Sequence, residues 1–219
     1  MYFRNQSNEE ILNTCRIRVD NSLSSRDIMA AVAKFNYDKE ALERGKSLLE
    51  KATELHRRQI REYNEQFAAT RQYNKVFERA HEQYMDYVKI ARITFKNDAD
   101  TYHRLGLFGE RSRKFVNWLP QVRRFYREAL EDAQILEALR QWNITRKDLE
   151  SGLVLMEETV EAHDAQVRES GEAQQATQDR DAAIDALYEW TDDYQTIAEI
   201  ALKNKPQLLE KLGIVVKSK

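Results

Sequence analysis

The chain has 219 residues, with six glycines, two prolines and charged side chains at 33% of positions, a helix-forming composition rather than a sheet-forming one. A single cysteine, Cys15, excludes an internal disulfide framework and fits a reducing compartment, and no apolar run is long enough for a membrane span. The net charge of −2 divides unevenly, with 19 basic against 16 acidic residues over 1–107 and 16 against 21 over 108–219, so neither half has the strong positive charge of a typical nucleic-acid binder.

The sequence is written twice. Shifted by 107 positions, residues 36–107 lie on 143–214 without a gap, and 24 of the 72 pairs are identical where chance gives roughly 4. Gly45 falls on Gly152, His56 on His163, Thr70 on Thr177 and Gly106 on Gly213. The fold class that follows is all-α: an up-and-down helical bundle of two tandem three-helix repeats, 1–107 and 108–219, packed as one body.

In chain order, the first helical stretch spans about 8–34, with its counterpart at 111–141. Apolar Ile11, Leu12, Cys15, Val19, Ile28, Met29 and Val32 match Trp118, Leu119, Val122, Tyr126, Ile135, Leu136 and Leu139. Asn21–Ser25 is a candidate break in the first copy. Pro120 is expected to start or kink the second, because it lacks an N–H and crowds the preceding turn. After a short link, Asp38 and Thr145 stand at N-cap positions, and Thr145 with Asp148 resembles a capping box. From there a seam of seven-residue spacing (Leu42, Leu49, His56, Tyr63, Thr70, Phe77, Tyr84, Ala91) signals helices packed side by side. Residues 38–97 and 145–203 form either single long helices or hairpins turning near 63–70 and 170–177. The polar middle and Gly171 favour the hairpin. Each copy ends in one more turn, where Pro206 suits a first helical position and Gly213 a C-terminal cap. Gly45 and Gly152, costly in a helix interior, imply close approach of a neighbour such as Phe35 or Trp142.

The sharpest polar constellation recurs in both copies: His56, Gln59 and Glu62, with His163, Gln166 and Glu169. His and Gln three apart share a helix face. The plain account is a polar layer fixing register; the functional one is a pair of sites for an ion or small ligand. Glu78 and His81 have the spacing of carboxylate-bridged di-iron bundles, but the second copy offers Asp185 and Tyr188, a poor ligand set. No zinc motif, phosphate loop or nucleophile elbow occurs, and Cys15 reads as a small buried apolar residue. The basic run Arg111, Arg113, Lys114, Arg123, Arg124 and Arg127 is the best nucleic-acid surface; charge matching with the acidic stretch 157–193 is the simpler account.

The sequence therefore predicts a non-catalytic structural or protein-interaction module without cofactor, binding a protein partner or a second copy of itself. A metal- or ligand-binding bundle using the His56 and His163 layers is the alternative, and nucleic-acid binding through 111–127 ranks third. Without an apolar stretch over Met1–Glu10, the expected location is cytoplasmic.

Overall fold

The computed structural model describes residues 6–215, and every regular element among them is helical. No helix is long and apolar enough to cross a membrane among these residues. The elements are α1 (Asn8–Ser24), α2 (Arg26–Val32) with a short 3-10 turn (Ala33–Phe35), α3 (Lys39–Thr94), α4 (Ala99–Arg104), α5 (Phe115–Glu131), α6 (Ala133–Arg140), α7 (Arg146–Ala201) and α8 (Pro206–Lys211). Each helix start of the first copy recurs 107 residues later, and α3 and α7 have the same length, 56 residues.

The hairpins do not form. α3 and α7 run unbroken through 63–70 and 170–177. The middle is polar because it is largely exposed, and polarity alone ends no helix. Gly171 is exposed, with open space where a Cβ would stand. Its cost of about 1 kcal/mol relative to Ala is too small to interrupt a helix already nucleated on both sides.

The first stretch of each copy is, by contrast, split. Ser25 caps α2 by accepting from Ile28 N, and Asp132, at the matching position, caps α6 by accepting from Gln134 N and Ile135 N at 2.8 and 3.2 Å. The second split had no serine cluster to announce it; a lone Asp suffices as cap. Pro120 neither starts α5 nor ends it. The helix begins at Phe115 and continues to Glu131, and Pro120 lies on an exposed face where water can serve the carbonyl left without its donor. Asp38 accepts from Ala41 N at 2.9 Å, and Thr145 and Asp148 form the reciprocal capping box.

Four turns close in the same way, with a left-handed residue at Asn36, Gly106, Asn143 and Gly213. In each, the next residue's N–H reaches back to a helical carbonyl, as Leu107 N does to Tyr102 O (3.0 Å) and Ile214 N to Leu209 O (3.1 Å).

The chain divides into two compact units, and the division does not fall at 107/108. Unit 1 takes 1–64 and 171–219; unit 2 takes 65–170. Each therefore combines the helix pair and early long helix of one copy with the late long helix and short helix of the other.

In unit 2 one apolar core joins α3 (Phe77, Tyr84, Val88) to α5 (Trp118, Phe125, Tyr126), α6 (Ile135, Leu139) and α7 (Leu149, Met156). In unit 1 the core is two clusters. One holds Ile11, Cys15, Val19, Leu49 and Leu187; the other holds Ile28, Leu42, Tyr194, Leu202 and Leu212.

Among the described residues, no position buried in one copy is exposed at its mate. The neighbours that crowd the two helical glycines are not Phe35 and Trp142. A Cβ on Gly45 would overlap the Trp190 ring, and one on Gly152 would overlap the Tyr126 ring. The same small residue thus admits a different aromatic in each unit.

Candidate functional site

The polar layer divides between the units. His56, Gln59 and Glu62 lie on α3 in unit 1; His163, Gln166 and Glu169 lie on α7 in unit 2; all are half-buried. In unit 2 the His163 ring stacks on Phe115, with centroids 3.7 Å apart and planes 8° from parallel, and meets Tyr73 edge-on at 5.5 Å. Its Nδ1 lies 3.5 Å from Asp164 Oδ1, too long for a strong hydrogen bond. Glu169 faces Arg168 at 3.5 Å.

In unit 1 both His56 ring nitrogens are buried without a hydrogen-bond partner among the described residues. Glu62 accepts from Arg58 Nε at 3.4 Å, and Arg58 also approaches Asp179 on α7 at 3.8 Å. No histidine or cysteine among the described residues belongs to a group of three or more potential ligands close enough to share one metal ion.

Glu78 is engaged by Arg113, whose guanidinium also sits 5.6 Å from the Phe77 ring centre. His81 stacks on Phe77 at 5.7 Å and is buried, and burial, with help from Arg113, pushes its pKa down against the pull of Glu78 and Glu82. Cys15 is fully buried; burial raises its thiol pKa, opposed by the hydrogen bond from Thr191 Oγ1 at 3.3 Å. A thiol so placed is a packing element.

The basic run finds partners other than those expected from the sequence. Arg111 and Arg124 donate to backbone carbonyls of residues 103–109, and Arg113 pairs with Glu78. Arg127 pairs with Glu128 at 3.3 Å. Arg123 and Arg127 border a groove of about 610 Å³ with Leu130, Leu153, Met156 and Glu157. No ion pair with residues 157–193 forms there; guanidiniums near a helix C-terminus are drawn to its unpaired carbonyls instead.

A feature that the sequence reading passed over is the set of exposed apolar side chains. Phe35 and Trp142, Ile60 and Val167, Ile93 and Ile200, and Phe108 and Val215 are all exposed, and each pair is related by the 107-residue shift. The signal was present in the aligned copies. Exposure is what a one-dimensional pattern leaves undetermined, because an apolar residue is read as core by default.

No protein-family model, curated protein or solved structure matches this chain.

Proposed function

We propose that the chain is a duplicated, non-catalytic helical module that binds a protein partner through apolar side chains repeated on both copies. The observation that carries this reading is the four mated exposed pairs. Three of them have changed identity (Phe to Trp, Ile to Val, Phe to Val), yet all remain large, apolar and exposed. Free drift at wet positions favours polar residues, so retained apolar character points to a surface that is covered in use.

The test compares the parent chain with a variant carrying Phe35→Ser, Trp142→Ser, Ile93→Ser and Ile200→Ser. Both are cross-linked in the cells of origin and then purified for light scattering. The parent is expected in a stoichiometric complex, with another protein or with itself, and the variant as a monomer with an unchanged helical melt. A parent that stays monomeric and alone, or a variant that keeps the same complex, overturns the reading.

A second reading, an ion- or ligand-binding bundle, draws on the buried, unpartnered ring nitrogens of His56. Elemental analysis separates the two. Stoichiometric metal in the parent, lost in His56→Ala and His163→Ala, would displace the first reading.

A further inference from the structure

The geometry points to an oxyanion-binding pocket in unit 2, built at the turn that follows α4 and suited to a small phosphate-bearing molecule. The cavity, of about 380 Å³, is lined by His103, Gly106, Phe108, Arg111, Gln121 and Arg124. Arg111 Nη1 donates to Gly106 O at 2.7 Å and to Tyr84 Oη at 3.1 Å. Arg124 donates through Nε to Arg104 O at 2.8 Å and through Nη2 to His103 O at 2.6 Å. Behind them, Arg92 on α3 donates to Leu107 O and Gly109 O at 3.0 and 2.6 Å.

Three guanidiniums thus converge on backbone carbonyls and pair with no described carboxylate. Glu128 and Asp132 are held by Arg104, and Glu128 also by Arg127. A helix C-terminus presents only about half a negative charge, so more than two positive charges remain uncompensated.

Unit 1 contains the matching pocket and serves as an internal control. Thr14, Arg18, Glu199, Gly213 and Val215 line it; all but Arg18 are the mates of Gln121, Arg92, Gly106 and Phe108, and the Arg18 charge is met by those of Asp192 and Glu199. Its turn closes with the same pattern: Gly213 N donates to Glu210 O at 2.9 Å, as Gly106 N does to His103 O. The mate of Arg124 is Ile17, which packs over Gly213 at 3.8 Å from an ideal Cβ, as Arg124 Cδ packs over Gly106 at 3.4 Å. An aliphatic side chain therefore packs this turn, and a glutamate is tolerated where Arg92 stands. The fold therefore demands an arginine at neither of these two positions; the mate of Arg111 is Arg4, which lies outside the described residues.

A residual charge of more than two suits a dianion, and a phosphate monoester carries about −1.5 to −2 at neutral pH. Arg124 Nη1 makes no hydrogen bond among the described residues, whereas Nε and Nη2 do. Gln121 accepts from Ser112 N through Oε1 at 3.2 Å, which leaves its amide N–H groups to donate. Phe108, 58% exposed and edge-on to Tyr102 at 4.7 Å, adds an apolar wall for the body of the ester.

The full chain, labelled with ¹⁵N, is titrated with inorganic phosphate, phenyl phosphate and succinate at fixed ionic strength. The Gly106 amide is expected to shift saturably with phosphate while Gly213 does not, and phenyl phosphate should bind more tightly and succinate more weakly. Arg124→Ile, which copies Ile17, should weaken phosphate by at least about tenfold, the scale of a lost charge-assisted bond. Gln121→Thr, which copies Thr14 and leaves every carbonyl contact in place, should weaken it by about threefold or more. Equal, unsaturable shifts at both glycines, unchanged affinity in a folded Arg124→Ile or in Gln121→Thr, or succinate binding better than phosphate would each overturn the assignment.

Discussion

Unit 2 buries Phe125, Tyr84 and Ala129 at the positions where unit 1 buries Arg18, Thr191 and Ser22. Those three substitutions coincide with the break in the unit 1 core. Its two apolar clusters lie on either side of the polar set, whereas the unit 2 core is continuous. Two members of the set are hydrogen-bonded: Thr191 Oγ1 donates to Leu187 O at 2.7 Å, Ser22 Oγ donates to Arg18 O at 2.6 Å, and Ser22 also meets the Tyr194 hydroxyl. Burial lowers the Arg18 pKa, and the charges of Asp192 and Glu199 oppose that shift.

A satisfied polar group contributes about 1 kcal/mol net, while a fully buried large apolar side chain contributes about 1.5–3 kcal/mol. Unit 2 gains more from the same helical frame. Buried polar atoms without a hydrogen-bond partner among the described residues occur in both units, at the His56 ring in unit 1 and at Trp118 Nε1 and Tyr126 Oη in unit 2, so costs of about 1–3 kcal/mol each fall on both. The duplicated pattern of burial therefore fixes where the helices meet, and the residues chosen at each meeting point set how strongly.

The largest effect expected from this contrast is at Trp118, which packs on Phe77 with ring centres 5.1 Å apart. Trp118→Ala should cost about 3–5 kcal/mol, and its mate change, Ile11→Ala, about 2 kcal/mol. Native-state hydrogen exchange should show unit 1 amides opening at lower free energy than those of 65–170 in the parent chain. Equal costs, or earlier opening of unit 2, would break the comparison.

Gly45→Leu and Gly152→Leu come next, at about 1–3 kcal/mol or more, since each new side chain must displace an aromatic ring. The helical propensity gained, about 0.5–1 kcal/mol, offsets only part of that. The thermal melts should separate as well: Gly152→Leu strains the continuous core against Tyr126, whereas Gly45→Leu meets Trp190, which is only partly buried. A melt of Gly45→Leu unchanged from the parent would remove close packing as the reason for that glycine.

Much of the frame was readable in the residues. The two ends of the seven-residue seam, on either side of an exposed Tyr63, the capping box at Thr145 and Asp148, the terminal turn from Pro206 to Gly213 and the buried Cys15 all follow local rules that the chain obeys. The continuity of α3 and α7 was not readable, because a polar stretch reads alike as a loop and as an exposed helix face. The pairing of the early half of each long helix with the late half of the other was not readable either. Periodicity says which face is apolar and nothing about which helix covers it. Of the polar layer, the sequence placed His56 and His163 at matched positions, yet their surroundings differ: Phe115, which stacks on His163, falls opposite Asn8 in the first copy. The arginines of 111–124 misled for a related reason. Opposite charges suggest ion pairs along a helix, and the carbonyls of a nearby turn, invisible as charge, competed successfully.

The smallest effect concerns pH and sharpens the comparison at one matched pair, His81 in unit 2 and Tyr188 in unit 1. His81 is buried against Phe77, with Arg113, Glu78 and Glu82 as the charges that act on it, and its folded pKa lies below the ordinary histidine value. The unfolded chain therefore binds a proton that the folded chain resists. Stability is fully present above about pH 6.5, the unfolded value, and declines as pH falls from there toward the folded pKa. His81→Tyr, which copies Tyr188, removes that titration. Parent and variant should keep a constant difference in Tm above pH 7, and the variant should gain on the parent between pH 6.5 and 5. A difference that stays flat across that range would mean that the imidazole is hydrated and titrates alike in both states, and that the unit 2 core is looser at His81 than its stacking on Phe77 implies.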